Sequence, residues 1–229
     1  MLVIAIVLGL LPGFAWLVFY LTEDPHPEPK RLVTLTFFAG IAFGFFAIVL
    51  EQLYNRTAMD WGIATLSVFS LLVFAIIEEA MKFGAAYFAV GKSSVLNDPL
   101  DRMLYIIVAA LGFATLENIG AISNLPLASG ATALIGSAFQ MDSLRFVGAT
   151  LLHSLTAGIV GYYWAMGIIR KHVFWNLLAG FIFAIILHAG FNYLILTYGD
   201  ISYTIILLLV AGFFVLNDFE KLKANEPTT

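Results

Sequence analysis

The stretch WGIATLSVFSLLVFAIIEEAMKFGAAYFAV, residues 61–90, decides how this chain is read. A membrane helix needs about 20 apolar residues, so this run is either one long tilted helix or two short spans. It also carries Glu78, Glu79 and Lys82 deep inside apolar sequence. Six other stretches qualify as spans: 2–21, 32–53, 103–122, 146–169, 173–196 and 201–216. With 61–90 taken as one helix, Lys30, Arg31, Lys92, Arg102, Arg170, Lys171, Lys221 and Lys223 fall on one side of the membrane. Only Arg56 and Arg145 fall on the other. Splitting the run would scramble that division. Positive loops stay in the cytoplasm, so the expected topology is about seven spans with the N-terminus outside and the C-terminus cytoplasmic.

Composition agrees. Of 229 residues, 61% are hydrophobic and 11% charged, and the mean hydropathy is +0.95. A soluble domain is nearer half apolar and a quarter charged. Charge this sparse cannot build a polar shell, which excludes soluble, disordered and nucleic-acid-binding classes. The absence of cysteine excludes a disulfide scaffold, a thiol nucleophile and a thiolate-bound metal. No positive residue precedes the first stretch and no small-residue cleavage site follows it, so it reads as a span and not as a cleaved leader. The expectation is an all-α, polytopic transmembrane helical bundle, residues 1–229 forming a single domain in a multi-pass, prokaryotic-type cytoplasmic membrane. Gly40 and Gly44 form a GxxxG that lets helices approach closely. Tyr20, Trp61, Trp164 and Trp175 suit interfacial belts.

The residues that do not belong in a bilayer are Glu78, Glu79 and Lys82 on the third span, Glu117 and Asn118 on the fourth, His153 on the fifth, and His188 and Asn192 on the sixth. Each charge at mid-bilayer costs about 2.5–3.5 kcal/mol, so three Glu and one Lys cost about 10–14 kcal/mol. Either Glu78 (i,i+4) or Glu79 (i,i+3) can reach Lys82, and a buried ion pair that fixes helix register would account for that pair alone. It does not account for a third carboxylate and two histidines on other helices. At 1.5 Å per residue, Glu79 lies about 20 Å from Lys92, Glu117 about 22 Å from Arg102, and His153 and His188 each about 26 Å from Arg170 and Lys171. Four helices thus bring ionisable groups to one layer, in the middle to outer half of the membrane.

A carboxylate in low dielectric can act as general base or acid toward water. Neutral imidazole can bind a metal, relay protons or polarise a carbonyl, and an Asn amide can stabilise an oxyanion. These groups suit hydrolysis by activated water. Ser154 points about 100° away from His153 on a helix, a poor geometry for a nucleophilic pair. HExxH is absent, but a metal site assembled from separate helices remains open, with His153, His188 and Glu117 as candidate ligands for a divalent ion such as zinc.

Four motifs in order add a resemblance. Glu78-Glu79-Ala80-Met81-Lys82 matches EExxK. Residues 112–118 match GFxxxEN through Gly112, Phe113, Glu117 and Asn118. His153 with its downstream glycines is the third motif, and His188 with Asn192 forms HxxxN. Together with 101–105, this pattern resembles the PrsW family of intramembrane proteases, distantly similar to the CAAX prenyl protease group. The resemblance implies site-1 cleavage of a single-span anti-sigma factor on its extracytoplasmic side. It also implies Glu78, Glu79, Glu117, His153 and His188 as catalytic residues. By chemistry, Glu79 or Glu78 would activate water, His153 would hold or polarise it, and His188 and Asn192 would stabilise the oxyanion. Lys82 would keep one carboxylate ionised, with Phe113 and Asn118 in support. The resemblance leaves a metal mechanism and a metal-free glutamate mechanism both open.

The expected partners are therefore the bilayer and a single-span, anti-sigma-factor-like substrate, with no nucleic acid. The loop 123–144 is the longest; its middle, 131–139, is too short to span and is expected to lie near the interface, where it could gate access. The competing function is a proton-coupled transporter, because buried Glu, His and Lys also build proton relays. Against it, the chain shows no inverted repeat and no pair of matched broken helices.

Overall fold

The structure is a computed structural model describing residues 2–93, 96–125, 131–198 and 201–224. Its described residues form helices α1 (Leu2–Thr22), α2 (Lys30–Asp60), α3 (Val68–Val90), α4 (Pro99–Ser123), α5 (Ala131–Arg145), α6 (Leu151–Ile169), α7 (Val173–Tyr198) and α8 (Ile201–Lys223). A five-residue π turn, Phe146–Thr150, joins α5 to α6. Among the described residues, six helical runs are long and apolar enough to cross a membrane: α1, α2, α4, α7, α8 and the continuous run Ile135–Ile169. The seventh, α3, is 23 residues long but contains Glu78, Glu79 and Lys82. The chain is an all-helical, multi-pass membrane protein.

Two boundaries differ from the expectation. The run 61–90 is one helix, but it begins at Val68. Residue Trp61 caps the C-terminus of α2, Gly62 turns the chain with φ 70°, and the Ser67 hydroxyl accepts from the amide of Ser70 to start α3. A positive φ is a conformation that glycine adopts without penalty. The supposed loop 123–144 is largely helical: α5 occupies 131–145 and feeds straight into α6. Residues 126–130, which also fall in that loop, lie outside the described residues.

Helix α4 is the centre of the bundle. Every residue from Met103 to Thr115 is buried, as expected of a helix apolar on all sides. Asp98 and Asp101 form a capping box around Pro99, fixing where α4 starts. α2 approaches it through glycine. A Cβ on Gly40 would overlap the carbonyl of Ala109, and a Cβ on Gly112 would overlap the carbonyl of Phe37. A Cβ on Gly161 of α6 would lie 2.5 Å from the Cα of Met103. The small-residue reading of Gly40 and Gly44 therefore holds; Gly44 faces Leu116. Tyr20 and Trp164, expected in interfacial belts, are instead core residues. Tyr20 bonds Ser154 at 3.0 Å, and Trp164 packs edge-on to Phe83 and under Arg102.

Because the obstacle at Gly40 and Gly112 is backbone, it cannot rotate away. Gly40→Ala and Gly112→Ala should each destabilise the folded protein by about 1–3 kcal/mol. Gly120→Ala, whose Cβ meets nothing within 4 Å, should not. Thermal melting in detergent checks this, and equal melting temperatures for all three would remove the close α2–α4 contact from the account.

Candidate active site

Helices α3, α4, α6 and α7 bring Glu78, Glu79, Lys82, Glu117, His153 and His188 into one connected cluster. Lys82 is fully buried, and its ammonium has three N–H donors. Three acceptors meet it: Glu79 Oε1 at 2.5 Å, His153 Nδ1 at 3.1 Å and Thr156 Oγ1 at 3.2 Å. Thr156 in turn donates to the His153 carbonyl at 3.2 Å. Phe113 closes one side, with the ammonium 5.9 Å from its ring and the His153 ring 5.7 Å away.

These contacts assign the imidazole tautomers. An ammonium only donates and a carboxylate only accepts. His153 Nδ1 faces Lys82 and is therefore bare, while Nε2 carries the proton and donates to Glu117 Oε2 at 2.9 Å. His188 Nδ1 donates to Glu79 Oε1 at 2.7 Å, leaving Nε2 bare. The two rings stand nearly perpendicular, 5.2 Å apart. Each imidazole is thus held from behind by a carboxylate and turns a bare nitrogen toward the same third group, Glu78. Its Oε2 lies 3.5 Å from His188 Nε2 and 3.9 Å from His153 Nδ1. That oxygen is buried and accepts no hydrogen bond among the described residues.

Glu78, His153 and His188 form a group whose donor atoms all lie within 4.8 Å of one another. The expected metal set contained Glu117; the geometry instead turns Glu117 outward to His153 Nε2 and puts Glu78 in the inner position. A carboxylate behind each histidine is the arrangement that orients metal-binding imidazoles. The chemistry of the set fits a divalent ion, although Lys82 faces the same Nδ1 and would have to leave that one contact.

Two participants were not foreseen. Arg145, counted as an anchor on the sparsely basic side, folds inward. Its Nη2 donates to Glu117 Oε2 at 3.1 Å, and its Nε bonds Asn118 Oδ1. Asn118 ties the same corner to the π turn by donating to Thr150 Oγ1 at 3.0 Å. Glu51 of α2 comes within hydrogen-bonding reach of Glu78. The available signals were an arginine directly before a span on the wrong side for charge, and an acid inside the second span. Four carboxyl groups thus meet two cationic side chains. Asn192 does not join the bonded cluster; it stands on the wall of a neighbouring cavity.

Residues 28–217 match the PrsW family intramembrane metalloprotease. This chain belongs to the PrsW family. It is 29% identical over 193 residues to Protease PrsW of Geobacillus kaustophilus, covering 82% of this chain and 78% of that one. With Protease PrsW of Bacillus subtilis it shares 28% identity (68% and 65% covered), and with that of Oceanobacillus iheyensis 24% (96% and 95% covered). No solved structure matches the chain. The protein is accordingly an intramembrane peptidase of PrsW type, multi-pass and membrane-embedded.

Lys82 is the hinge of the cluster. Removing one member of a buried ion pair leaves an uncompensated charge, at a cost of about 3–5 kcal/mol. Lys82→Met should therefore lower detergent stability sharply. The double variant Glu79→Gln/Lys82→Met should recover most of it, since the amide oxygen then at position 79 still accepts from His188. Additive losses on melting would show that the two residues are not paired.

Proposed function

We propose that this PrsW-family protein hydrolyses a peptide bond of a single-span membrane protein in the space bounded by Glu78, His153 and His188. The observation that carries the reading is that the unprotonated His188 Nε2 and the unbonded Glu78 Oε2 face each other at one buried point, with His153 alongside, its Nδ1 accepting from Lys82. A water there would lie between bases and be fixed in place. Glu78 Oε2 accepts the proton of the attacking water, the second O–H of that water donates to His188 Nε2, and His153, whose Nδ1 accepts from Lys82, closes the third side of the space. Glu79 and Glu117 hold the imidazoles from behind, Lys82 neutralises Glu79, and Arg145 neutralises Glu117. Phe113 and the surrounding apolar helices exclude bulk water, which strengthens each of these interactions.

The sequence left Glu79 and Glu78 as alternatives for the base, and the geometry favours Glu78. Glu79 Oε1 is already shared by Lys82 and His188, whereas Glu78 Oε2 faces both rings. Should a divalent ion be resident, Glu78, His153 and His188 would hold it, and it would supply Lewis-acid polarisation of water or of the scissile carbonyl.

The finer reading is cleavage of an anti-sigma factor on its extracytoplasmic flank, with the N-terminus of this chain outside and its C-terminus cytoplasmic. The distribution of Lys and Arg supports that orientation. The depth of the cluster, in the middle to outer half of the spans counted from the basic side, supports cleavage from that side.

General base catalysis is worth about 10²–10⁴-fold. Glu78→Gln should therefore reduce turnover by at least the lower of these factors while the protein stays folded. New N-termini of single-span proteins, mapped by mass spectrometry in membranes of the same host with candidate anti-sigma factors supplied, should appear with wild type and vanish with Glu78→Gln. Their positions should lie at the extracytoplasmic flank. Cuts of equal abundance with both proteins would remove Glu78 from the chemistry, and cytoplasmic cuts would reverse the orientation.

A further inference from the structure

Beside the cluster, the end of α5, the π turn, α7 and α8 enclose a cavity of about 570 Å³. Ligand sites typically measure about 300–1,000 Å³. Its walls are apolar, with Leu144, Val147, Phe191, Ile195, Ile205 and Leu208 among them. Three polar side chains reach it: Arg145, Asn192 and Thr204. The Thr204 hydroxyl donates to the Ile201 carbonyl at 2.7 Å, and Arg145 is held by Glu117 and Asn118. Asn192 makes no side-chain hydrogen bond among the described residues.

Asn192 is partly exposed to the cavity, so its amide is open to a partner that enters there. Its donor and acceptor lie side by side in one plane, and a peptide group offers the complementary acceptor and donor. A lipid tail, the other apolar occupant within reach, offers neither. An intact helix is also a poor partner, because its own i→i−4 bonds use its amides and carbonyls. The cavity adjoins the candidate active site: Arg145 both lines it and bonds Glu117, and Asn192 stands one helical turn beyond His188.

We propose that this cavity binds an unwound, apolar stretch of the substrate's membrane segment beside the bond to be cut, with Asn192 hydrogen-bonding its backbone. The proposal rests on the protease reading and adds where the peptide lies. It moves Asn192 from the oxyanion role expected from sequence to a role in binding peptide.

The test uses the full-length protein in liposomes and a single-span reporter whose cut site has been mapped with wild type. Asn192→Leu should raise KM about three- to ten-fold, the worth of one hydrogen bond, and leave kcat nearly unchanged. Asn192→Gln should restore part of the loss. In a Glu78→Gln background, benzoylphenylalanine in place of Ile205 should cross-link the reporter near its cut site. The same group in place of Leu209, which faces outward on α8, should label lipid alone. A fall in kcat with KM unchanged would return Asn192 to the oxyanion. Lipid adducts alone from Ile205, while wild type still cuts the reporter, would overturn the cavity assignment and leave the protease standing. If no single-span protein can be found that wild type cuts, no reporter exists, the protease reading fails and this proposal falls with it.

Discussion

A lysine ammonium with no exposure to water, in the middle of an apolar helical bundle, is the constraint around which the rest is arranged. Such a charge is tolerable only if each of its three donors is met and an opposite charge lies beside it. Glu79, His153 and Thr156 meet them, which fixes the rotation of α3 against α6. The same contacts set the tautomer of His153, and Glu79 sets that of His188. Those two tautomers decide which nitrogens are left bare and therefore where water or a cation can be held.

Packing makes the arrangement possible. Helix α4 is buried through thirteen consecutive positions, Met103 to Thr115, so its neighbours must come close on all sides. Backbone-to-backbone contacts at Gly40, Gly112 and Gly161 supply that closeness. α1 is pinned across the far side by Tyr20 to Ser154 and by Trp16, whose indole donates to the Phe146 carbonyl at 3.0 Å. The π turn thus receives a hydrogen bond from α1 at one end and, through Thr150, one from Asn118 of α4 at the other. Irregular turns of this kind within helices recur at functional sites, and this one ends three residues before His153.

Much of this is legible in the sequence. Counting residues inward from basic anchors places Glu79, Glu117, His153 and His188 at one depth, and the structure joins them into one hydrogen-bonded chain. The i,i+3 spacing of Glu79 and Lys82 anticipates their pairing, and the charge asymmetry correctly keeps 61–90 as one helix. What escapes is whatever depends on direction and not on depth. Arg145 reads as an anchor by its place in the chain, yet its side chain turns back into the bundle. Glu51 and Glu78 sit on different helices, and no spacing rule connects them. The exchange of Glu117 for Glu78 as the inner carboxylate follows from helix rotation, which the buried lysine sets and sequence periodicity does not. The start of α3 is readable after all, in Gly62 and Ser67, but hydropathy alone runs past both.

The central claim is that the two imidazoles and Glu78 together form a hydrolytic centre. It is tested most directly by purified protein reconstituted in liposomes with a labelled single-span substrate. His153→Ala and His188→Ala are compared with wild type for both cleavage and helical content. Wild type should cleave, each variant should lose at least about a hundredfold, as for removal of a group that binds or positions the reacting water, and circular dichroism should be unchanged. Cleavage at the wild-type rate by either folded variant would contradict it.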